Sequence, residues 1–134
     1  MLPVESHTFY RMKRALARAA SDADYQRIDP PIVEKTSLWT GGLGSTSDVV
    51  SKEMFTFMTR GNEEVSLRPE GTASIMRAAL QHQELRNGSA RLWYCGPMFR
   101  YERPQRGRSR QFTQFGTWHE GGSAVGFGLQ QRHV

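Results

Sequence analysis

Two runs of strand-forming residues, separated by a loop built almost wholly from arginine, proline, glycine and glutamine, limit what this chain can become. The first opens apolar as Leu92-Trp93-Tyr94-Cys95, turns at Gly96-Pro97 and resumes as Met98-Phe99-Arg100-Tyr101-Glu102. The second, Gln111-Phe112-Thr113-Gln114-Phe115, alternates as a half-buried strand does. The pattern predicts two antiparallel strands joined by a long basic loop over residues 91–115. Successive strand residues point to opposite faces, so Arg100 and Glu102 share a face, as do Arg110, Phe112 and Gln114. Spacing alone does not say whether these two faces coincide. If they do, one surface carries a guanidinium, a carboxylate, a ring and a carboxamide. A guanidinium matches phosphate oxygens in bidentate fashion and an aromatic face stacks on a purine, so a nucleotide is the expected ligand.

Charge supports the same focus. Of the net +5, residues 100–110 supply +4, with five arginines against one glutamate, while the flanking segments are close to balanced. Excess confined to one loop fits phosphate contact better than general solubility, the other reading being a solvated basic loop.

Earlier in the chain, residues 5–20 place Phe9, Met12, Leu16 and Ala19 or Ala20 at helical spacing, with Pro3 and Ser6 as start signals and residues 21–24 as the stop. Residues 25–34 form a short alternating run broken by Pro30-Pro31, which belongs at a sheet edge because proline cannot donate to a ladder. Gly41-Gly42-Leu43-Gly44 lacks the lysine of a phosphate loop and reads as a mobile loop. Residues 53–58 and 64–68 predict a hairpin around Thr59-Arg60-Gly61-Asn62. In Leu67-Arg68-Pro69-Glu70-Gly71-Thr72 the strand ends sharply, and Thr72 can cap a helix with Ile75, Met76, Ala79 and Leu80 on one face. That junction fixes a carboxylate and a hydroxyl where they either cap the helix or hold an ammonium group.

The full segment FRYERPQRGRSRQFTQFG resembles the second signature motif of class II aminoacyl-tRNA synthetases, in the form of the bacterial-type histidyl-tRNA synthetases. The combination of FR-x-E, RPQ-x-GR and RQF-x-Q-FG is specific, and the resemblance covers about residues 2–116. It implies an α+β fold, an antiparallel sheet flanked by helices, of which residues 1–116 would be the front half of a truncated catalytic domain. It also implies histidine, ATP with Mg2+ and tRNA(His) as substrates, with no tightly bound cofactor and no metal ligand from the protein. Carried over by position, Arg100 would be the catalytic residue, holding the ATP α-phosphate and the histidine carboxylate. Glu102 would meet the adenine amino group, Phe112 would stack on adenine, and Arg108 would contact phosphate. Glu70 and Thr72 would grip the histidine α-amino group and Gln114 would line the histidine pocket. Gln105 and Arg106 would meet the tRNA acceptor end. The segment with Pro31, Ile32 and Glu34 resembles the first class II motif, the family's homodimer interface.

Resemblance stops after Gly116, where the family continues toward an acidic residue and this chain has Thr117-Trp118-His119-Glu120. Glu120 lies two strand positions too far, a shift of about 7 Å. Residues 117–134 are therefore expected to form a loose, divergent tail, as after a frameshift, truncation or fusion. The third class II motif, the histidine-recognition segment and the anticodon-binding domain are missing from these 134 residues, so the chain alone is expected not to charge tRNA. Two other functions are a histidine-binding regulatory paralogue of the ATP phosphoribosyltransferase system and a non-catalytic RNA-binding remnant. One cysteine, Cys95, allows no internal disulfide, the four histidines show no metal-ligand spacing, and no apolar run is long enough for a membrane span. A reducing cytoplasm is the expected location.

Overall fold

The computed structural model describes residues 3–40, 52–82, 90–103, 109–119 and 125–129. In chain order the elements are α1 (Pro3–Asp22), β1 (Gln26–Arg27), β2 (Val33–Lys35), α2 (Ser37–Thr40), β3 (Thr56–Met58), β4 (Glu64–Leu67), α3 (Thr72–Gln81), β5 (Arg91–Phe99), β6 (Gln111–His119) and β7 (Val125–Leu129). They form two sheets, one ordered β1-β5-β6-β7 and one ordered β2-β4-β3. Every pairing is antiparallel except β1 with β5. This is the α+β arrangement expected, with helices flanking antiparallel sheet.

Residue parity divides the main sheet into two faces. Leu92, Tyr94 and Met98 pack with Ile75 of α3, joined by Ile28, Phe112 and Trp118. Trp93 and Phe115 face the other way and pack with Ala20 of α1, joined by Leu16, Ala17, Tyr25 and Cys95. A nine-residue strand with apolar side chains at both parities needs cover on both faces, and β5 has α3 on one and α1 on the other. Fully burying one such side chain is worth about 1.5–3 kcal/mol, so the two clusters supply much of what orders this region.

β5 runs without interruption through Gly96-Pro97, where a turn was expected. Its partner β1 pairs only with Leu92 and Trp93, while β6 pairs with β5 all the way to Phe99. At Pro97 the strand is thus laddered on one side only, where a missing N–H is tolerated. Residues 117–119 and 125–129 also differ from the loose tail expected. Thr117 to His119 continue β6, and Val125–Leu129 pair with it from Thr117 back to Thr113. The unpaired edge of β6 supplies backbone partners that no side-chain pattern in the tail advertises.

Smaller differences follow from packing. In α1 the buried residues are Phe9 and Ala20, whereas Met12 is exposed. Leu80 of α3 is likewise exposed, and Ala73, Ser74, Ile75 and Ala79 are buried. The hairpin of β3 and β4 is present with a shorter first strand, and its turn places Asn62 at φ 60. β1 and β2 each lie at a sheet edge, as the prolines between them required. The Gly41-Ser47 loop lies outside the described residues.

Candidate active site

The turn between β4 and α3 is pinned to the main sheet one residue after another. Phe99 N donates to Arg68 O at 3.0 Å, Arg100 Nε donates to Pro69 O at 3.0 Å, and Gly71 N donates to Gln114 Oε1 at 2.9 Å. Sequence-distant groups with strand-end chemistry are thereby gathered along one edge of the α3-facing side.

The register settles the parity question. Met98 opposes Phe112 and Gly96 opposes Gln114, so even-numbered residues of β5 and β6 share a face. The ladder continues one step beyond β5, with Arg100 N donating to Arg110 O at 3.0 Å. The Arg100 guanidinium carbon then sits 5.1 Å from the centroid of Phe112, a cation–π arrangement on a half-buried ring. Glu102 is half-buried, and its N–H donates to Arg100 O at 2.8 Å. Arg110 departs from this group although its parity fits. It lies past the regular pleat, and its guanidinium stacks on Tyr101 at 4.3 Å, with Nε 3.4 Å from Glu102 O.

Helix α3 is capped by Glu70, not by Thr72 as expected. The Glu70 carboxylate accepts from Thr72 N at 2.6 Å and Ala73 N at 2.9 Å, satisfying two donors that the first turn leaves unpaired. A carboxylate reaches forward to these amides more readily than a hydroxyl already inside the helix, and its charge suits the helix start. The same hold fixes Glu70 next in the chain to Pro69, whose carbonyl accepts from Arg100.

Sequence reasoning missed two residues of this region. Tyr94 is 2% exposed, and its ring is gripped between Gly71 and Gly116, where any Cβ would overlap it. Burial pushes its pKa up to about 12, with Thr72 and the Gly71 backbone pulling the other way and Glu70 adding to the rise. Its hydroxyl, close to those groups, makes no hydrogen bond of acceptable geometry. Arg68 is 5% exposed and donates to the carbonyls of Pro30, Pro31 and Pro97. Burial lowers its pKa, with Asp29, Tyr94 and Glu34 opposing. An arginine at a strand end before a proline was a visible signal for a backbone clamp, and Tyr94 in an apolar run gave none.

The structure thus brings together Glu70, Thr72, Arg100, Phe112 and Gln114 around one turn and one strand pair. Gln105, Arg106 and Arg108 lie outside the described residues, as does Glu120. Pro31, Ile32 and Glu34 lie apart from the site along β2 and its approach, where Ile32 is exposed and Glu34 accepts from Arg77 Nη2 at 2.7 Å. Among the described residues, no group of three acidic, histidine or cysteine side chains could hold a metal, and no helix is long and apolar enough to cross a membrane.

A family model described as histidyl-tRNA synthetase matches residues 1–125. The chain belongs to the histidyl-tRNA synthetase family. It is 50% identical over 117 residues to the histidine–tRNA ligase of Synechococcus sp. (strain JA-3-3Ab), covering 87% of this chain and 28% of that protein. It is 48% identical over 118 residues to the histidine–tRNA ligase of Acinetobacter baumannii (strain ATCC 17978), covering 87% and 27%. Among solved structures, the apo histidyl-tRNA synthetase of S. aureus matches with TM-score 0.68 and 34% identity, over 87% of this chain and 29% of that one. An ATP phosphoribosyltransferase regulatory subunit/histidyl-tRNA synthetase from Bacillus halodurans matches with TM-score 0.71 at 22% identity, over 87% and 29%, a likeness of fold. The chain therefore spans less than a third of the histidyl-tRNA synthetases it resembles.

Proposed function

We propose that residues 1–116 are the front part of the catalytic domain of a histidine–tRNA ligase. The α3-facing edge of β5 and β6 is then where histidine is activated by ATP. One observation carries this reading. The Arg100 guanidinium lies over Phe112 while bonded to Pro69 O, one residue from Glu70, so phosphate, base and ammonium recognition sit within one small region.

In this reading a histidine carboxylate oxygen attacks the α-phosphorus of ATP. The new O–P bond forms as the bond to pyrophosphate breaks; a terminal ribose hydroxyl of tRNA(His) then attacks the histidyl carbonyl carbon, giving up its proton as AMP leaves. Arg100 holds the α-phosphate and the carboxylate, supplying positive charge where negative charge grows. Phe112 stacks on adenine with its ring already braced by Arg100, while Glu102 accepts from the adenine amino group and Arg108 meets phosphate. Magnesium ions enter with ATP as part of the substrate. Glu70 and Thr72 hold the ammonium group. An ionised carboxylate has about four acceptor sites, so Glu70 can do this without releasing the two helix amides. Gln114 lines the histidine pocket, Gln105 and Arg106 meet the acceptor end of tRNA, and Pro31, Ile32 and Glu34 face a second copy in a cytoplasmic homodimer.

The test is calorimetric titration of the chain with a non-hydrolysable histidyl-adenylate analogue, histidyl-sulfamoyl adenosine. Saturable binding is expected, weakened about 10- to 100-fold in Arg100→Ala through loss of a charge-assisted contact. Binding of histidine with no ATP or analogue would support the regulatory paralogue instead. RNA binding alone, surviving Arg100→Ala, would support an electrostatic remnant and overturn the adenylate site.

A further inference from the structure

Resting on that reading, we infer that Arg68, a residue outside the substrate-contacting set, is a positioning residue that sets the separation between the two halves of the site. The two proline-rich segments it joins have a specific deficiency. Pro30-Pro31 and Pro97 offer carbonyls but lack the N–H groups that would tie them to neighbouring strands. Arg68 donates to all three carbonyls, with Nε 2.9 Å from Pro97 O and Nη1 reaching Pro30 O and Pro31 O. Its remaining nitrogen lies against Gly96, in the space a side chain there would occupy. The guanidinium fork, five donors fixed in a plane, can satisfy diverging carbonyls that an ammonium cannot.

The backbone of the same residue completes the junction. Arg68 N donates to Ile32 O at 2.9 Å and Arg68 O accepts from Phe99 N at 3.0 Å. Side chain and main chain of one residue therefore join the approach to β2, the end of β4 and the end of β5. Glu70 follows Arg68 by two residues, and Arg100 follows Phe99 directly and bonds Pro69 O. Among the described residues Arg68 takes part in none of the ion pairs, although Asp29 and Glu34 are near enough to favour its charge. A buried cation whose hydrogen bonds among the described residues all go to carbonyls is sensitive to geometry, which makes it a rigid spacer between the ammonium-binding turn and the phosphate-binding arginine.

The test uses the whole chain and three variants, Arg68→Lys, Arg68→Met and, as a control losing a comparable contact elsewhere, Arg77→Met. Relative to the amides of Leu92 to Tyr94, hydrogen exchange of the Phe99 and Arg100 amides is expected to accelerate at least about tenfold in both Arg68 variants, and in Arg77→Met to change no more than those reference amides do. Amides of Leu92 to Tyr94 serve as an internal reference for global unfolding. Equal acceleration at Phe99 and Leu92 in the Arg68 variants, or an equally selective acceleration at Phe99 in Arg77→Met, would overturn the positioning role and leave only general stabilisation. A second arm compares histidyl-sulfamoyl adenosine with ATP by titration. Arg68→Lys is expected to lose more affinity for the analogue, which spans both halves, than for ATP; equal losses would overturn the proposal. Failure of the unaltered chain to bind either would sink the adenylate reading and leave the exchange result to judge Arg68.

Discussion

Met98 and Phe112 stand directly opposite each other in the β5–β6 ladder, and this pairing carries the Arg100 guanidinium to 5.1 Å from the Phe112 ring. A slip of one residue would turn Phe112 toward α1 and leave Arg100 without its ring. Phe112→Leu keeps an apolar side chain but removes the π face. It is expected to weaken histidyl-sulfamoyl adenosine binding about 5- to 10-fold, the worth of roughly 1 kcal/mol of stacking, while affinity for histidine alone stays constant. Calorimetry on both ligands decides it, and equal losses would remove Phe112 from the adenine side.

Gly71 and Gly116 close on the Tyr94 ring from two elements, and neither has room for a Cβ. Gly116→Ala should therefore destabilise the chain by about 1–3 kcal/mol through overpacking. In a Tyr94→Leu background the same change should cost much less, because the obstructing ring is gone. Urea unfolding of the four members of the cycle measures the coupling, and strict additivity would show that the glycine is needed for some other reason.

The Tyr94 hydroxyl gives a signed pH dependence. Its pKa rises from 10.0 to about 12 on burial, so the folded chain holds the proton more tightly than the unfolded one. The contribution is fully present below pH 10 and is lost as pH climbs through 12. Its size is about 2–3 kcal/mol at most. Tyr94→Phe should remove that part of the alkaline destabilisation. Unfolding curves from pH 9 to 11.5 for both proteins check this, and parallel declines would refute it.

Glu34 and Arg77 join β2 to α3 through a largely buried ion pair at 2.7 Å, with side-chain exposures of 10% and 27%. Arg77→Met leaves the carboxylate without its cation and should cost about 1–3 kcal/mol. Replacing both partners with apolar residues, Glu34→Leu with Arg77→Met, should recover most of it. Thermal unfolding of the single and double variants measures the difference. A double variant as unstable as the single one would mean that the pair does more than neutralise itself.

Much of this architecture was legible because it rests on periodicity. Alternation marked β6, three- and four-residue spacing marked α1 and α3, and Asn62 in the β3–β4 turn adopts the left-handed backbone its residue type tolerates. Errors arose where a neighbour overrode local signals. Gly96-Pro97 read as a turn, yet one-sided pairing to β6 keeps it extended. Thr72 looked like the cap, yet the longer Glu70 side chain reaches the amides first. The tail lacked any strand pattern, yet residues 125–129 pair with the open edge of β6.

The sequence by itself determined which chemical groups this chain brings to its site, because a specific run of arginines, a glutamate and aromatic residues is written in consecutive letters. Only the tertiary structure decided that Arg100, Phe112, Gln114 and Glu70 converge, and that Arg68 holds them at their distance. Guanidinium-to-carbonyl and amide-to-carboxamide bonds join residues about thirty to forty positions apart, Arg68 with Pro97 and Gly71 with Gln114. Such pairings are chosen by competition among all possible partners in the packed chain, a comparison that no local pattern contains.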